Sequence, residues 1–149
     1  FGVHTGDVNG PALCHMFNKA TSGMGKPHYI SLDHDPLFRY NRWRANLRIR
    51  GIQEIKTVPH VPISHPFTER LVGTIRREFL DQTLFWIKQD LDEKLGEFQD
   101  YYNADRVHQA LNLRTPEEAA GKDSLSQADL STFAWRSHCR GLFQTPIAA

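Results

Sequence analysis

Two carboxylates in this chain have the type and spacing to work together, Asp33 and Glu69. Asp33 follows a short apolar run, Tyr29-Ile30-Ser31-Leu32, and opens the loop Asp33-His34-Asp35-Pro36. Glu69 sits one turn into a strongly patterned helix expected to start around Ser64-His65-Pro66. Thirty-five residues, 34 to 68, lie between them. Carboxylates from separate elements beside a cationic helix suit hard divalent cations. Mg²⁺ and Mn²⁺ take oxygen ligands, of which usually only one or two are protein carboxylates. A pair of such ions about 4 Å apart can activate a water or a 3′-hydroxyl and stabilise the leaving oxygen in phosphoryl transfer. Arg39, Arg42, Arg70, Arg76 and Arg77 are candidates for neutralising the backbone phosphates of a polyanionic substrate. Spacing alone decides little, because 17 acids in 149 residues make some Asp–Glu pair at any chosen spacing nearly inevitable. A carboxylate at a strand end also serves as a turn former, and a Glu in a first helical turn simply suits the dipole.

The elements that must position these groups follow from periodicity. Phe1-Gly2-Val3-His4-Thr5 reads as the end of a strand, followed by a Gly6-Asp7 turn. Gly10-Pro11 leads into a helix whose buried face is Ala12, Leu13, Met16, Phe17 and Ala20, ended by Gly23 and Gly25. His28 to Leu32 reads as a buried strand. Phe38 to Ile49 reads as one amphipathic helix, with Phe38, Trp43 and Leu47 inside and arginines outside. Gly51 breaks it, and Ile52 to Val58 is the next strand. Pro59-His60-Val61-Pro62 is an extended linker. In the Glu69 helix, Leu71, Val72, Ile75 and Phe79 form the apolar stripe, while Arg76 returns almost over Glu69. Asp90 to Asn103 is a further helix, with Leu91, Leu95, Phe98 and Tyr102 in register. Thr115-Pro116-Glu117-Glu118 has the form of a capped helix start, and Gly121 stops it. The whole is an α/β chain with a partly parallel sheet, whose ligands bind beyond the carboxyl ends of the strands, where Asp33 falls.

Composition sets the outer limits. At 149 residues with 40% apolar and 23% charged content, the chain can bury one domain's core and is not disordered. No run approaches 18 apolar residues, so no membrane span or membrane partner is expected. Cys14 and Cys139 make no disulfide framework and point to a reducing compartment. The net charge of +1 hides an uneven distribution: Arg39, Arg42, Arg44, Arg48 and Arg50 cluster without an acid, while 90–105 is acidic. Near-neutrality therefore leaves room for a nucleic-acid face. The arginine cluster also reads as a solvated helix face, and Trp43 and Trp86 read as core before they read as base-stacking platforms. Cys14-His15 and His138-Cys139 are adjacent pairs without the usual zinc-ligand spacing.

Several stretches together resemble the integrase core of retroviral-type integrases and insertion-sequence transposases. They are Asp33-His34-Asp35-Pro36-Leu37-Phe38, Pro66-Phe67-Thr68-Glu69-Arg70 and Thr74-Ile75-Arg76-Arg77-Glu78-Phe79-Leu80-Asp81, with the later Tyr101-Tyr102-Asn103-Ala104-Asp105-Arg106-Val107-His108-Gln109-Ala110-Leu111 and Thr115-Pro116-Glu117-Glu118-Ala119. The Tyr-Tyr-Asn to Thr-Pro block is the most specific, since several fixed offsets agree at once. The resemblance runs from about residue 1 to about residue 120. It implies a ribonuclease H-like fold and an Asp, Asp, 35-spaced Glu triad that uses Mg²⁺ or Mn²⁺ to nick DNA at element ends and join a 3′-hydroxyl to target DNA. Asp33 matches the second carboxylate of that triad and Glu69 the third. The implied partners are DNA (element ends and target) and further copies of the protein in a homo-oligomeric DNA complex. The implied location is the bacterial cytoplasm, at the nucleoid during action.

Two departures accompany the resemblance. His34 and Asp35 stand where the family commonly has Asn-Gly, and Leu37 where it has Glu, so Asp35 rivals Asp33. Asp33 is preferred for its place at the strand end and its spacing to Glu69. The 32 residues before Asp33 match the third strand and first helix of the family's fold. Asp7, in a turn, does not occupy the first-carboxylate position. The first two strands and the first metal ligand are therefore expected upstream, and the chain alone is expected to be catalytically incomplete, with an unpaired edge on the Asp33 strand. The expected organisation is a partial integrase core over 1–121 and a tail over 122–149. The competing reading is a DNA-binding or assembly fragment without catalysis, in which the acidic 90–105 helix serves as a protein contact.

Overall fold

The computed structural model describes residues 2–23, 25–56, 66–122, 129 and 131–149. They fall into two compact units, Gly2–Arg76 and Arg77–Ala149. In the first unit, Asn9 opens helix α1 (Gly10–Ala20) by accepting the Ala12 N–H at 3.0 Å, with Pro11 in the first turn. A Cβ on Gly10 would stand 3.3 Å from Tyr40 Cβ and 3.4 Å from Arg42 Cβ, so the glycine is what permits the start of α1 to lie against that segment. Strand β1 (Tyr29–Leu32) pairs in parallel with β2 (Gln53–Lys56), from Tyr29↔Gln53 to Leu32↔Lys56. A parallel pair needs a crossover, supplied by a 3-10 turn (Pro36–Arg39) and helix α2 (Asn41–Ile49). Gly51, at φ +65°, turns the chain from α2 into β2.

The core of this unit is Leu32, Trp43, Leu47 and Ile52, with Leu13, Cys14, Phe17, Ile30 and Phe38 packed around them. Phe17 meets Trp43 edge-on at 5.1 Å, and Phe38 lies tilted against it at 5.7 Å. Arg50 clasps α2 to α1, donating to Asn18 Oδ1 at 2.7 Å and Thr21 Oγ1 at 2.8 Å over the Phe17 ring. Several expectations are corrected. Trp86 is not core but 87% exposed, and in the strand expected to be buried only Leu32 is buried. Residues 2–5 form no strand. The helix expected from Phe38 to Ile49 is broken at Tyr40, which is extended (φ −57°, ψ 132°), because Asp35 and Pro36 start a separate 3-10 turn. Val72 is not on a buried stripe but is 58% exposed. The Pro59–Pro62 linker, Val58, and the Ser64-His65 helix start lie outside the described residues.

Helix α3 (Pro66–Glu78) begins in the first unit and ends in the second. In the second, Phe79 stacks on Phe98 of α4 (Lys88–Ala104) at 4.8 Å, and both are fully buried with Leu95 nearby on α4. Arg106 donates to both Glu78 oxygens, at 2.9 and 2.7 Å, and to His108 at 3.2 Å. Thr115 and Glu118 form a reciprocal capping box at the start of α5 (Pro116–Ala119), as the sequence indicates. The tail is an antiparallel hairpin, β3 (Phe133–His138) with β4 (Phe143–Ala148). Phe143 stacks on Tyr101 at 4.3 Å. Arg140 at the hairpin turn reaches Asp90 and Glu97 at 3.3 Å and Glu93 at 3.6 Å, so the acidic helix is engaged within its own unit.

Two outcomes follow. Trp43→Ala should lower unfolding free energy by about 3–5 kcal/mol, read by urea unfolding, since it empties the centre of the first core. Burial, aided by the charge of Glu97, pushes the Cys139 thiol from 9.0 up to about 11. Only the thiolate is nucleophilic, so iodoacetamide at pH 8 should alkylate Cys139 about 100-fold more slowly in the folded chain than in urea. The same upward shift means that this group's contribution to stability is complete below pH 9.0 and is lost as pH rises towards about 11.

Candidate active site

Asp33 is the residue that follows β1, so the parallel pair delivers it to the carboxyl end of its strand, the usual ligand side of such sheets. Its Oδ1 accepts the Asp35 N–H at 3.1 Å, and Asp35 in turn caps the 3-10 turn by accepting the Leu37 N–H at 2.8 Å. The loop is thus built from two successive Asx turns that hold Asp33 at the rim. Glu69 is exposed in the first turn of α3. The two carboxylates line one cleft of about 550 Å³, together with Ser31, Leu32, Phe38, Thr68 and Val72. Asp35 does not line it. Val72 stands one turn beyond Glu69, and its exposure is explained by this position on the cleft wall.

The donor set can be tested against a divalent cation. Among the described residues no group of three His, Cys, Asp or Glu side chains is arranged to hold a metal. Two exposed carboxylates in an open cleft match the Mg²⁺ pattern of one or two protein carboxylates completed by water and substrate oxygens, and do not match a closed protein cage. The histidine–cysteine pairs are occupied otherwise: Cys14 Sγ lies 3.5 Å from the Arg42 carbonyl it donates to, and His138 is hydrogen-bonded to Thr145 at 2.7 Å. His108 accepts from Arg106 and packs edge-on against Tyr102 at 4.7 Å, a structural role.

The basic residues divide by what they touch. Arg50, Arg106 and Arg140 are engaged inside their own units. Arg39, Arg42, Arg70, Arg76 and Arg77 are exposed, and none makes an ion pair among the described residues. Arg39 leaves the 3-10 turn, Arg42 lies on α2, and the other three lie on α3. Sequence reasoning missed the lining residues Phe38, Thr68 and Val72. Lys56, not singled out from the sequence, pairs with Leu32 immediately before Asp33.

Residues 50–116 match the model of the integrase core domain family. The fold is that of an integrase core. Its span on the chain holds Glu69, the Glu78–Arg106 clasp and the Thr115 cap, and Asp33 lies before it. The structure is also similar to a chain in the cryo-EM structure of the simian T-cell lymphotropic virus intasome in complex with PP2A regulatory subunit B56 gamma. The TM-score is 0.64 at 18% identity, over 97% of this chain and 55% of that one. The chain thus spans about half the length of the chain it matches. No curated protein matches it. Exposed carboxylates without an ion pair among the described residues contribute little to folding. Asp33→Asn and Glu69→Gln should each change unfolding free energy by no more than about 0.5 kcal/mol in urea titrations.

Proposed function

We propose that this chain is part of the catalytic core of a transposase or integrase, a polynucleotidyl transferase acting on DNA. The observation that carries the reading is the shared cleft of Asp33 and Glu69, at the 35-residue spacing of the family. In this reading Asp33 and Glu69 hold Mg²⁺ or Mn²⁺, which when bound polarises phosphoryl oxygens and lowers the pKa of a water or hydroxyl. Arg39, Arg42, Arg70, Arg76 and Arg77 hold the DNA backbone, and the 3-10 turn keeps Asp33 aimed at the cleft. In strand transfer the 3′-hydroxyl oxygen bonds to phosphorus, the existing phosphorus–oxygen bond breaks, and the departing 3′-oxygen takes a proton. Asp33 takes the place of the family's second carboxylate and Glu69 that of its third. Element ends, target DNA and further copies of the chain are the partners, and the bacterial nucleoid is the place of action. No described helix is long and apolar enough to cross a membrane.

A second reading, DNA binding or assembly without catalysis, draws on the exposed arginines alone. Its acidic-helix contact is weakened by the engagement of Asp90, Glu93 and Glu97 with Arg140. Mg²⁺- or Mn²⁺-dependent joining of a 3′-hydroxyl DNA end separates the two. We expect metal-dependent joining that falls by at least about 100-fold with Glu69→Gln. Joining indifferent to Glu69→Gln would overturn the catalytic reading.

A further inference from the structure

Asp33 and Phe38 line a second, smaller cavity of about 130 Å³ as well as the cleft shared with Glu69. Three cations converge on it from three separate elements: Arg39 from the 3-10 turn, Arg44 from α2 and Lys56 from the end of β2. None of the three makes an ion pair among the described residues, although Asp33, Asp35 and Glu54 line the same cavity. Their charges are thus not taken up in ion pairs with the neighbouring acids. The volume equals that of about four waters at ~30 Å³ each. That is room for a partly hydrated phosphodiester group.

We propose that this cavity is a phosphate subsite for the DNA strand, in which Arg44 and Lys56 hold the phosphodiester next to the one at the Asp33–Glu69 cleft. The proposal rests on the DNA-processing reading above and adds two residues to it. The cavity's acids and these cations balance one to one. Neutralising Asp33, by substitution or by a bound divalent cation, should therefore leave the subsite net positive and tighten its hold on phosphate. Asp33 would thus couple the two cavities: what engages it in the large cleft improves phosphate binding in the small one.

The test is fluorescence anisotropy of labelled duplex DNA in EDTA across a KCl series, with the full chain. Each lost phosphate contact lowers the slope of log K against log salt by about 1. Arg44→Ala combined with Lys56→Ala should lower it by about 2, while the charge-preserving Arg44→Lys with Lys56→Arg should keep it. Asp33→Asn should bind more tightly than the unsubstituted chain in EDTA. An unchanged slope in the double alanine variant, with a loss on Arg70→Ala and Arg76→Ala, would remove the subsite and leave the DNA-processing reading standing. Absence of salt-dependent DNA binding in the unsubstituted chain would overturn both.

Discussion

The indole of Trp43 is 1% exposed where α1, α2 and the β1–β2 pair meet, and its Nε1–H has no hydrogen-bond partner among the described residues. An unsatisfied buried donor costs about 1–3 kcal/mol. A buried indole removes roughly 150–250 Å² from water, which at ~25 cal/mol per Å² is worth about 4–6 kcal/mol. Packing therefore outweighs the orphaned N–H. The same ring fixes Phe38, which lies against it on one side and lines both cavities on the other. The position of the Asp33 loop follows from this contact, because Asp33 and Asp35 lead directly into the 3-10 turn that carries Phe38. In the first unit the core and the site are thus joined through one aromatic pair.

The second unit uses its polar residues differently. Its charged residues chiefly fasten its own elements, as in the two-pronged Arg106–Glu78 pair and the reach of Arg140 to three acids of α4. A fork of two N–H donors on one carboxylate is both strong and geometrically specific. This explains why the Tyr-Tyr-Asn to Thr-Pro block carries so much of the family resemblance. Arg106, His108 and Thr115 are framework, and their fixed offsets reflect a clasp, an aromatic contact and a helix cap. The first unit's exposed arginines, by contrast, have no internal ion-pair partner among the described residues, which is the arrangement a polyanion site requires.

Most of the elements were legible because they rest on local physics. The α1 start, the β1 strand, the Gly51 turn and the Thr115 cap are each encoded within a few residues. Trp43 and Leu47 were legible as core from spacing four apart. Periodicity failed where tertiary context overrides it. Val72 has the spacing of a buried residue but faces an open cleft. The chain at the Tyr40 break passes close to Gly10, thirty residues earlier, a contact that periodicity does not carry. The C-terminal hairpin was hidden because its turn runs through Cys139, Arg140 and Gly141 at φ 50°, 57° and 92°, without an Asn-Gly signature, and because β4 contains Pro146, a residue that argues against a strand. The partners that fasten that turn to α4 lie 43 and 50 residues away. Candidate carboxylates could be named from spacing, and the strand end favours Asp33 over Asp35; the cleft with Glu69 is lined by Asp33 and not by Asp35.

The central claim is that Asp33 and Glu69 serve one divalent cation in one cleft. The direct measurement is Mn²⁺ titration of the isotope-labelled chain, following paramagnetic broadening of backbone amide signals. The account predicts that amides around Asp33 and around Glu69 broaden together along a single binding curve. It further predicts that Asp33→Asn or Glu69→Gln abolishes both effects. Broadening at one of the two places alone, or confined to the acidic face of α4, would contradict it.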